Sequence, residues 1–207
     1  MLSRDLKSKK NLVGKNAEIV FAKESMGRYV GKIAKGVPHG FGVKSWPDGK
    51  RYQGNWNRGK MHGKGELIIS EGESYTGEFR NGLPWGLGIR KWANGDYYEG
   101  EYTRGYQQGS GLFISKDQGW KYDGQWEQGK MNGIAICQWS DGTTYSGEWK
   151  NCQKQGQGTL IFPDGSQYKG NFDADQPNGD GQKIFPDGSQ YDGSFSQGMF
   201  HGRGKFF

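Results

Sequence analysis

YQGNWNRGKMHGKGELIISEGES, running from Tyr52 to Ser74, holds two alternating runs separated by a turn. Tyr52, Gly54 and Trp56 alternate with Gln53 and Asn55, the period of two expected of a strand with one aromatic and one polar face. Gly63, Gly65, Leu67 and Ile69 keep the same period on the second run. Glycine inside a strand normally weakens it, but an aromatic ring lying across a neighbouring glycine replaces the missing side-chain contact. The stretch therefore predicts one β-hairpin in which cross-strand ring-on-glycine stacking takes the place of a conventional core.

The same pattern recurs along the chain. Tyr29, Tyr52, Tyr75, Tyr98, Tyr122, Tyr145, Tyr168 and Tyr191 each open a copy, 23 residues apart except for one step of 24 between Tyr98 and Tyr122. The octapeptide IFPDGSQY even occurs twice unchanged, at 161–168 and 184–191. The skeleton is Y-x-G-x-(W/F)-x-x-G-x-x-x-G-x-G, followed by a strand-like run and a turn carrying Asp-Gly or a relative. Fixed-period self-similarity of this kind marks a repeat architecture. In the fullest turns, such as Pro163-Asp164-Gly165, proline presets φ, aspartate bonds its own backbone, and glycine accepts a positive φ.

Composition agrees with a fold lacking an ordinary core. Leu, Ile, Val and Phe make up about 16% of the chain, below the roughly 20% at which a charged chain becomes suspect for disorder. The ordering must come from 38 glycines and from 11 tyrosines, 11 phenylalanines and 8 tryptophans. The formal charge of +6 is uneven: residues 1–28 hold seven Lys/Arg against three Asp/Glu, leaving only +2 for the rest. No apolar run approaches a membrane span and no secretory h-region is present, so the chain reads as soluble and intracellular.

These residues resemble the MORN-repeat proteins, whose unit is a 23-residue Y-x-G-x-W-x-x-G-x-x-H-G-x-G hairpin. The likeness covers eight units from Tyr29 to Phe207, behind a basic segment of residues 1–28. It implies an all-β fold: an elongated, twisted, single-layer antiparallel sheet used mostly as an assembly platform, in some relatives linked to phospholipids. Sixteen strands would give a sheet roughly 75 Å long. Relatives with catalytic activity carry a separate lipid-kinase or methyltransferase domain, for which this chain has no room, so a non-enzymatic scaffold without a cofactor is expected. Cytoplasmic cytoskeletal or ciliary assemblies are the homes the resemblance implies. Ile33 in place of the Trp, Ala135 in place of a Gly, and Cys152 and Asp175 in place of the loop glycine are departures expected to weaken local turns or stacking. The extra residue of the fourth unit is expected in the ISKDQGW turn.

No constellation points to chemistry. Cys137 and Cys152 read as two reduced thiols. His39, His62 and His201 occupy one motif position, and neighbouring copies two strands apart are too distant to share a metal. Asp48, Asp141, Asp164 and Asp187 recur at turns, where backbone bonding explains them. The G-x-G pairs lie inside strands, so they are not phosphate loops. The near-neutral array lacks the basic groove that single-stranded nucleic acid requires.

Partner-binding candidates are the residues that break the polar alternation. Phe41 and Val43, Leu87 and Ile89, Leu112 and Ile114, and Ile134 and Ile136 fall on the face where a single-layer sheet meets water. Exposed apolar patches usually mean binding, so this stripe is expected to receive a helix or extended segment of another protein. The N-terminal segment is the competing cover for unit one. Trp46, Trp92 and Trp139 recur on the glycine face, where stacking on neighbouring glycines is their local role and a groove-bound peptide would touch them. The alternative function is an anionic-phospholipid module. Lys7, Lys9, Lys10 and Lys15 would touch the leaflet, each contributing on the order of 1 kcal/mol. No myristoylation signal supports that contact, since Leu2 follows Met1. AEIVFAK at 17–23 is expected to add a strand covering the first edge, and HGRGKFF falls where the last strand should finish. An unpaired last strand invites self-association or β-augmentation, unless the chain is a fragment of something longer.

Overall fold

Tyr52 shows how each unit is held. Its ring lies across Gly54 of its own strand and Gly65 of the facing one, so closely that a Cβ on Gly65 would fall 2.3 Å from the hydroxyl and 2.6 Å from the ring. The hydroxyl donates to the Asn55 carbonyl at 2.9 Å, and the side chain is fully buried. The second glycine of G-x-G is thus required by the ring above it. The first has a different cause: Gly63 has φ +63° and sits in a β-bulge, where pairing slips from Gly54 opposite Gly65 to Trp56 opposite Met61. The bulge interrupts the alternation that the sequence suggests through Gly63, because the extra residues bend the strand and sharpen its twist.

The computed structural model describes Phe21–Lys23 and residues 27–207. The described strands of the first half are β1 (Phe21–Lys23), β2 (Gly27–Ala34), β3 (Val37–Ser45), β4 (Arg51–Asn57), β5 (Lys60–Ser70), β6 (Glu73–Arg80), β7 (Leu83–Lys91), β8 (Tyr97–Thr103) and β9 (Tyr106–Ser115). The second half adds β10 (Trp120–Glu127), β11 (Lys130–Gln138), β12 (Thr144–Lys150), β13 (Gln153–Ile161), β14 (Gln167–Asp173), β15 (Gln176–Ile184), β16 (Gln190–Ser196) and β17 (Met199–Phe206). Each pairs antiparallel with the next in one open meander, so the chain is all-β, and every unit from β2–β3 to β16–β17 is one bulged hairpin. β1 lies along β2 with Phe21 opposite Tyr29; the rest of the expected cap strand, residues 17–20, lies outside the described residues.

Two kinds of turn join the strands. Within a unit the loop has two residues, both at positive φ, as at Arg58 (50°) and Gly59 (78°). This is the mirror-image turn whose twist matches that of the strands. Between units Pro47-Asp48-Gly49 closes with Trp46 N–H donating to the Lys50 carbonyl and Gly49 N–H to the Trp46 carbonyl. Asp48, Asp141, Asp164 and Asp187 each accept a backbone N–H two residues on, at 2.8–3.1 Å. The side chains of Lys50, Ser166 and Ser189, and after them these backbone N–H groups, hold the carboxyls of Asp48, Asp164 and Asp187 below their ordinary range. The fourth unit carries its extra residue where expected, between Ser115 and Trp120, which face each other across a four-residue loop.

The substituted turns keep this geometry. Cys152 has φ 68° and Asp175 φ 72°, and their N–H groups still reach back to the carbonyls of Met131 and Lys154, as Gly59 and Gly82 do to the preceding unit. The departure therefore costs backbone strain rather than shape. Asp175 recovers part of it, since its Oδ1 accepts the Lys154 N–H at 2.8 Å. Cys152→Gly is expected to raise stability by about 1 kcal/mol, the left-handed penalty of a side chain outweighing glycine's extra entropy. Urea denaturation of the two chains measures it.

The core is a single file of rings. Tyr29 meets Trp56, Trp56 meets Tyr52, Tyr52 meets Phe79, and the alternation continues without a gap to Tyr191, with centroids 4.8–5.5 Å apart and planes 76–88° from each other. Edge-to-face pairs contribute about 0.5–1.5 kcal/mol each beyond area burial, so a one-sided sheet acquires a continuous core. Trp56 and Trp126 add an indole N–H bond to the carbonyls of Gly42 and Gly111 in the preceding unit. Trp149 has no such partner, and the residue at the corresponding place is Ala135, whose methyl group occupies the space a glycine leaves open.

Candidate protein-binding face

On the side opposite the rings, the residue after each repeat tyrosine and the residue after each second glycine, or after Ala135 in β11, share one row across the strands. Along the middle of the sheet the row reads Thr76, Ile89, Glu99, Leu112, Asp123, Ile136 and Ser146. A second row, two residues nearer the hairpin turns, pairs Leu87 with Glu101 and Ile134 with Glu148. Leu87, Ile134 and Ile136 are 67%, 59% and 54% exposed, while Ile89 and Leu112 are half-buried. Strands β7, β9 and β11 thus supply aliphatic side chains, and β6, β8, β10 and β12 between them supply carboxylates.

The structure brings together only part of the expected stripe. Phe41 is 55% exposed and stands beside Val43, but Gln53, Asn55, Lys64 and Glu66 of unit two separate this pair from Leu87 and Ile89. Leu112 and Ile114 sit one step further along their strand than Leu87 and Ile89 do: Ser110, between Gly109 and Gly111, is the counterpart of Leu87. Ile114 therefore falls in a third row beside Tyr97 and Lys121. The basic residues Lys7, Lys9, Lys10 and Lys15 lie outside the described residues.

The carboxylates of this face do not break the polar alternation and so are not marked as candidates by the apolar pattern. Glu78, Glu99, Glu101, Asp123 and Glu148 are all exposed. Glu101 and Glu148 are each pinned by one oxygen, to the N–H groups of Ser110 and Gln157 at 3.1 and 3.0 Å, beside the bulge glycines 109 and 156. Glu99 accepts the Tyr97 hydroxyl and so raises it to about 12. The two ion pairs among the described residues, Lys50–Asp48 and Arg90–Glu73, lie elsewhere. The residues are visible in the sequence: the position after the Tyr is acidic in units four and five (Glu99, Asp123), and the position after the following Gly in units three, four and six (Glu78, Glu101, Glu148).

Trp46, Trp92 and Trp139 lie on the aromatic side at the inter-unit turns and are half-buried. They do not stack on glycines, as the sequence suggested, because the tyrosines already cover those glycines. Each instead carries a cation: Lys44 over Trp46 at 4.9 Å, Arg90 over Trp92 at 5.3 Å and Lys154 over Trp139 at 5.3 Å. A shallow hollow of about 420 Å³ beside Trp92 and Phe113 includes Glu73, whose carboxylate is taken by Arg90.

Groups suited to chemistry stay apart. Cys137 is buried and free, and burial pushes its thiol up to about 12, while Cys152 is exposed and free. Among the described residues no three His, Cys, Asp or Glu side chains are placed to hold a metal ion.

A meander of bulged hairpins, each closed by a tyrosine lying on a pair of glycines, with Ala135 replacing one of them in unit five, defines a β-hairpin repeat protein with one aromatic and one solvent face. The family model for the MORN repeat matches residues 29–51, 52–74, 75–97, 98–120, 122–144, 145–167, 168–190 and 191–207, and the chain belongs to the MORN-repeat family. Alsin of Rattus norvegicus and Alsin of Mus musculus are each 38% identical to it over 60 residues, 28% of this chain and 4% of theirs. The chain thus spans only a small fraction of the length of these curated relatives. Among solved structures, the TCP domain of Drosophila melanogaster SAS-4 (dCPAP), in complex with a proline-rich motif of Ana2 (dSTIL), aligns over 92% of this chain and 86% of its own, at 14% identity and a TM-score of 0.38. The TCP10 domain of Danio rerio CPAP with a STIL peptide aligns over 84% and 68%, at 13% identity and a TM-score of 0.34.

Proposed function

We propose that this chain is a non-catalytic scaffold that binds a helix or extended segment of another protein on the solvent face of units three to five, within a cytoskeletal or ciliary assembly. The observation that carries this reading is the exposure of Leu87, Ile134 and Ile136 together on a sheet whose core lies entirely on the other side. Aliphatic side chains more than half exposed contribute nothing to the ring ladder, and burying each against a partner is worth roughly 1.5–3 kcal/mol.

The test is affinity capture from the source cell by the intact chain and by a Leu87→Lys, Ile89→Lys, Ile136→Lys variant whose circular dichroism matches the parent. A protein retained by the first and lost by the second is the expected result. Undiminished capture by the variant would move the site to the indole side, where Trp46, Trp92 and Trp139 stand. If no protein is captured and the chain instead sediments with anionic vesicles in a salt-sensitive way, the phospholipid reading replaces this one.

A further inference from the structure

We infer that the occupant of this face is a basic amphipathic α-helix, with a spine of Leu, Ile or Val flanked by Lys and Arg. The inference rests on the protein-binding reading above and specifies its partner. Charge supplies the first argument. Across β6 to β12 the two rows contain five exposed carboxylates and no lysine or arginine, in a chain whose formal charge is +6. The nearest cation in the register, Lys64 of β5, stands opposite Glu78 at one end of the patch, while Lys91 and Lys121 lie one row further along the strands. Such a field rejects an acidic partner and draws a basic one, since like charges brought together across an interface cost several kcal/mol.

Spacing supplies the second. Ile89, Leu112 and Ile136 recur on every second strand, so they stand about 9.6 Å apart along the sheet. On a helix laid across the strands, residues seven apart rise about 10.5 Å, close to that step, and a heptad spine meets all three in succession. A β-strand in the same direction covers the step in about three residues and turns alternate anchors away from the face. The width agrees as well: the two rows are about 7 Å apart along the strands, and a helix roughly 10 Å across spans both, with flanking cations over Glu101 and Glu148 of the second row and long enough to reach Glu99 and Asp123 between the spine contacts of the first.

Fluorescence anisotropy with the full chain tests this. The probes are two labelled 21-residue peptides carrying Leu at heptad a and d positions, one with Lys and one with Glu elsewhere. The Lys probe is expected to bind at least about tenfold more tightly than the Glu probe, and to weaken as salt rises from 50 to 300 mM. Glu99→Lys with Asp123→Lys should weaken it about tenfold or more, whereas Asp192→Lys, in the same row of unit eight, should change it less than about twofold. Equal binding of both probes, or indifference to the double charge reversal, overturns the basic helix. If Leu87→Lys, Ile89→Lys, Ile136→Lys still abolishes cellular capture in that case, the scaffold reading survives without it. Binding of the Lys probe only after Lys7→Glu, Lys9→Glu and Lys10→Glu would assign the face to this chain's own N-terminal segment and overturn an external partner.

Discussion

Replacing Tyr98 with alanine is expected to cost about 4 kcal/mol and to split unfolding of the sheet into two transitions. Tyr98 is fully buried in the middle of the ring file, edge-to-face with Tyr102 at 5.2 Å and Trp126 at 5.2 Å, and it bonds the Glu101 carbonyl at 3.1 Å. Its ring also covers Gly100 and Gly111, so its loss opens a void above two glycines that have no side chains with which to fill it. In a linear array each unit touches only its neighbours, and stability is a sum of unit and interface terms. A break at unit four therefore uncouples units one to three from five to eight. Tyr191→Ala, in the last matched unit, should instead fray only β16 and β17. Tyr98→Phe keeps the ring and should cost only the hydroxyl bond, about 1 kcal/mol. Urea denaturation followed by tryptophan fluorescence, with amide exchange to locate the break, distinguishes the three. A single cooperative transition in Tyr98→Ala at unchanged midpoint would show that the rings do not carry the coupling between units.

The fold was readable in this chain because its two periods, 2 and 23, are written repeatedly and in phase. Tyr, the paired glycines and the Trp or Phe name both the strand face and the place of the core. What the letters do not display is the bulge: Gly63 and Gly65 look like equivalent members of one alternation, yet the first answers to backbone geometry and the second to the ring above it. The candidate face was half legible for a related reason. Leu87, Ile89, Ile134 and Ile136 announce themselves as apolar breaks within their own strands, but Glu99, Glu101 and Asp123 are ordinary strand residues until antiparallel register sets them between those side chains. Register across strands is a tertiary property, and a unit read in isolation cannot supply it. The indoles failed for a simpler reason, since only one ring fits over a glycine pair and tyrosine holds that place.

Gly111→Val is expected to destabilise the chain by roughly 3 kcal/mol or more, with Gly111→Ala falling between it and the parent at about 1–2 kcal/mol. A Cβ at Gly111 would lie 2.3 Å from the Tyr98 hydroxyl and 2.5–2.6 Å from its ring, and the Gly111 carbonyl also accepts the Trp126 indole N–H at 3.0 Å. Unit five shows what a single methyl does here. With Ala135 at the corresponding position, Tyr122 remains fully buried and bonds the Gln125 carbonyl, but the Trp149 indole N–H has no partner. One methyl is therefore absorbed with the tyrosine still in place, at the cost of an indole bond. Valine adds two more carbons beneath the ring, too much to absorb in place, so Tyr98 must leave its glycines and the damage propagates to both neighbouring rings. Denaturation midpoints of the two variants that coincide would contradict this ordering. The reverse change, Ala135→Gly, restores the Trp149 bond for about 1 kcal/mol but gives back a similar amount in backbone entropy, so its stability should stay within about 0.5 kcal/mol of the parent. A near-neutral exchange of that kind explains how a glycine position so closely packed came to hold an alanine without loss of the repeat.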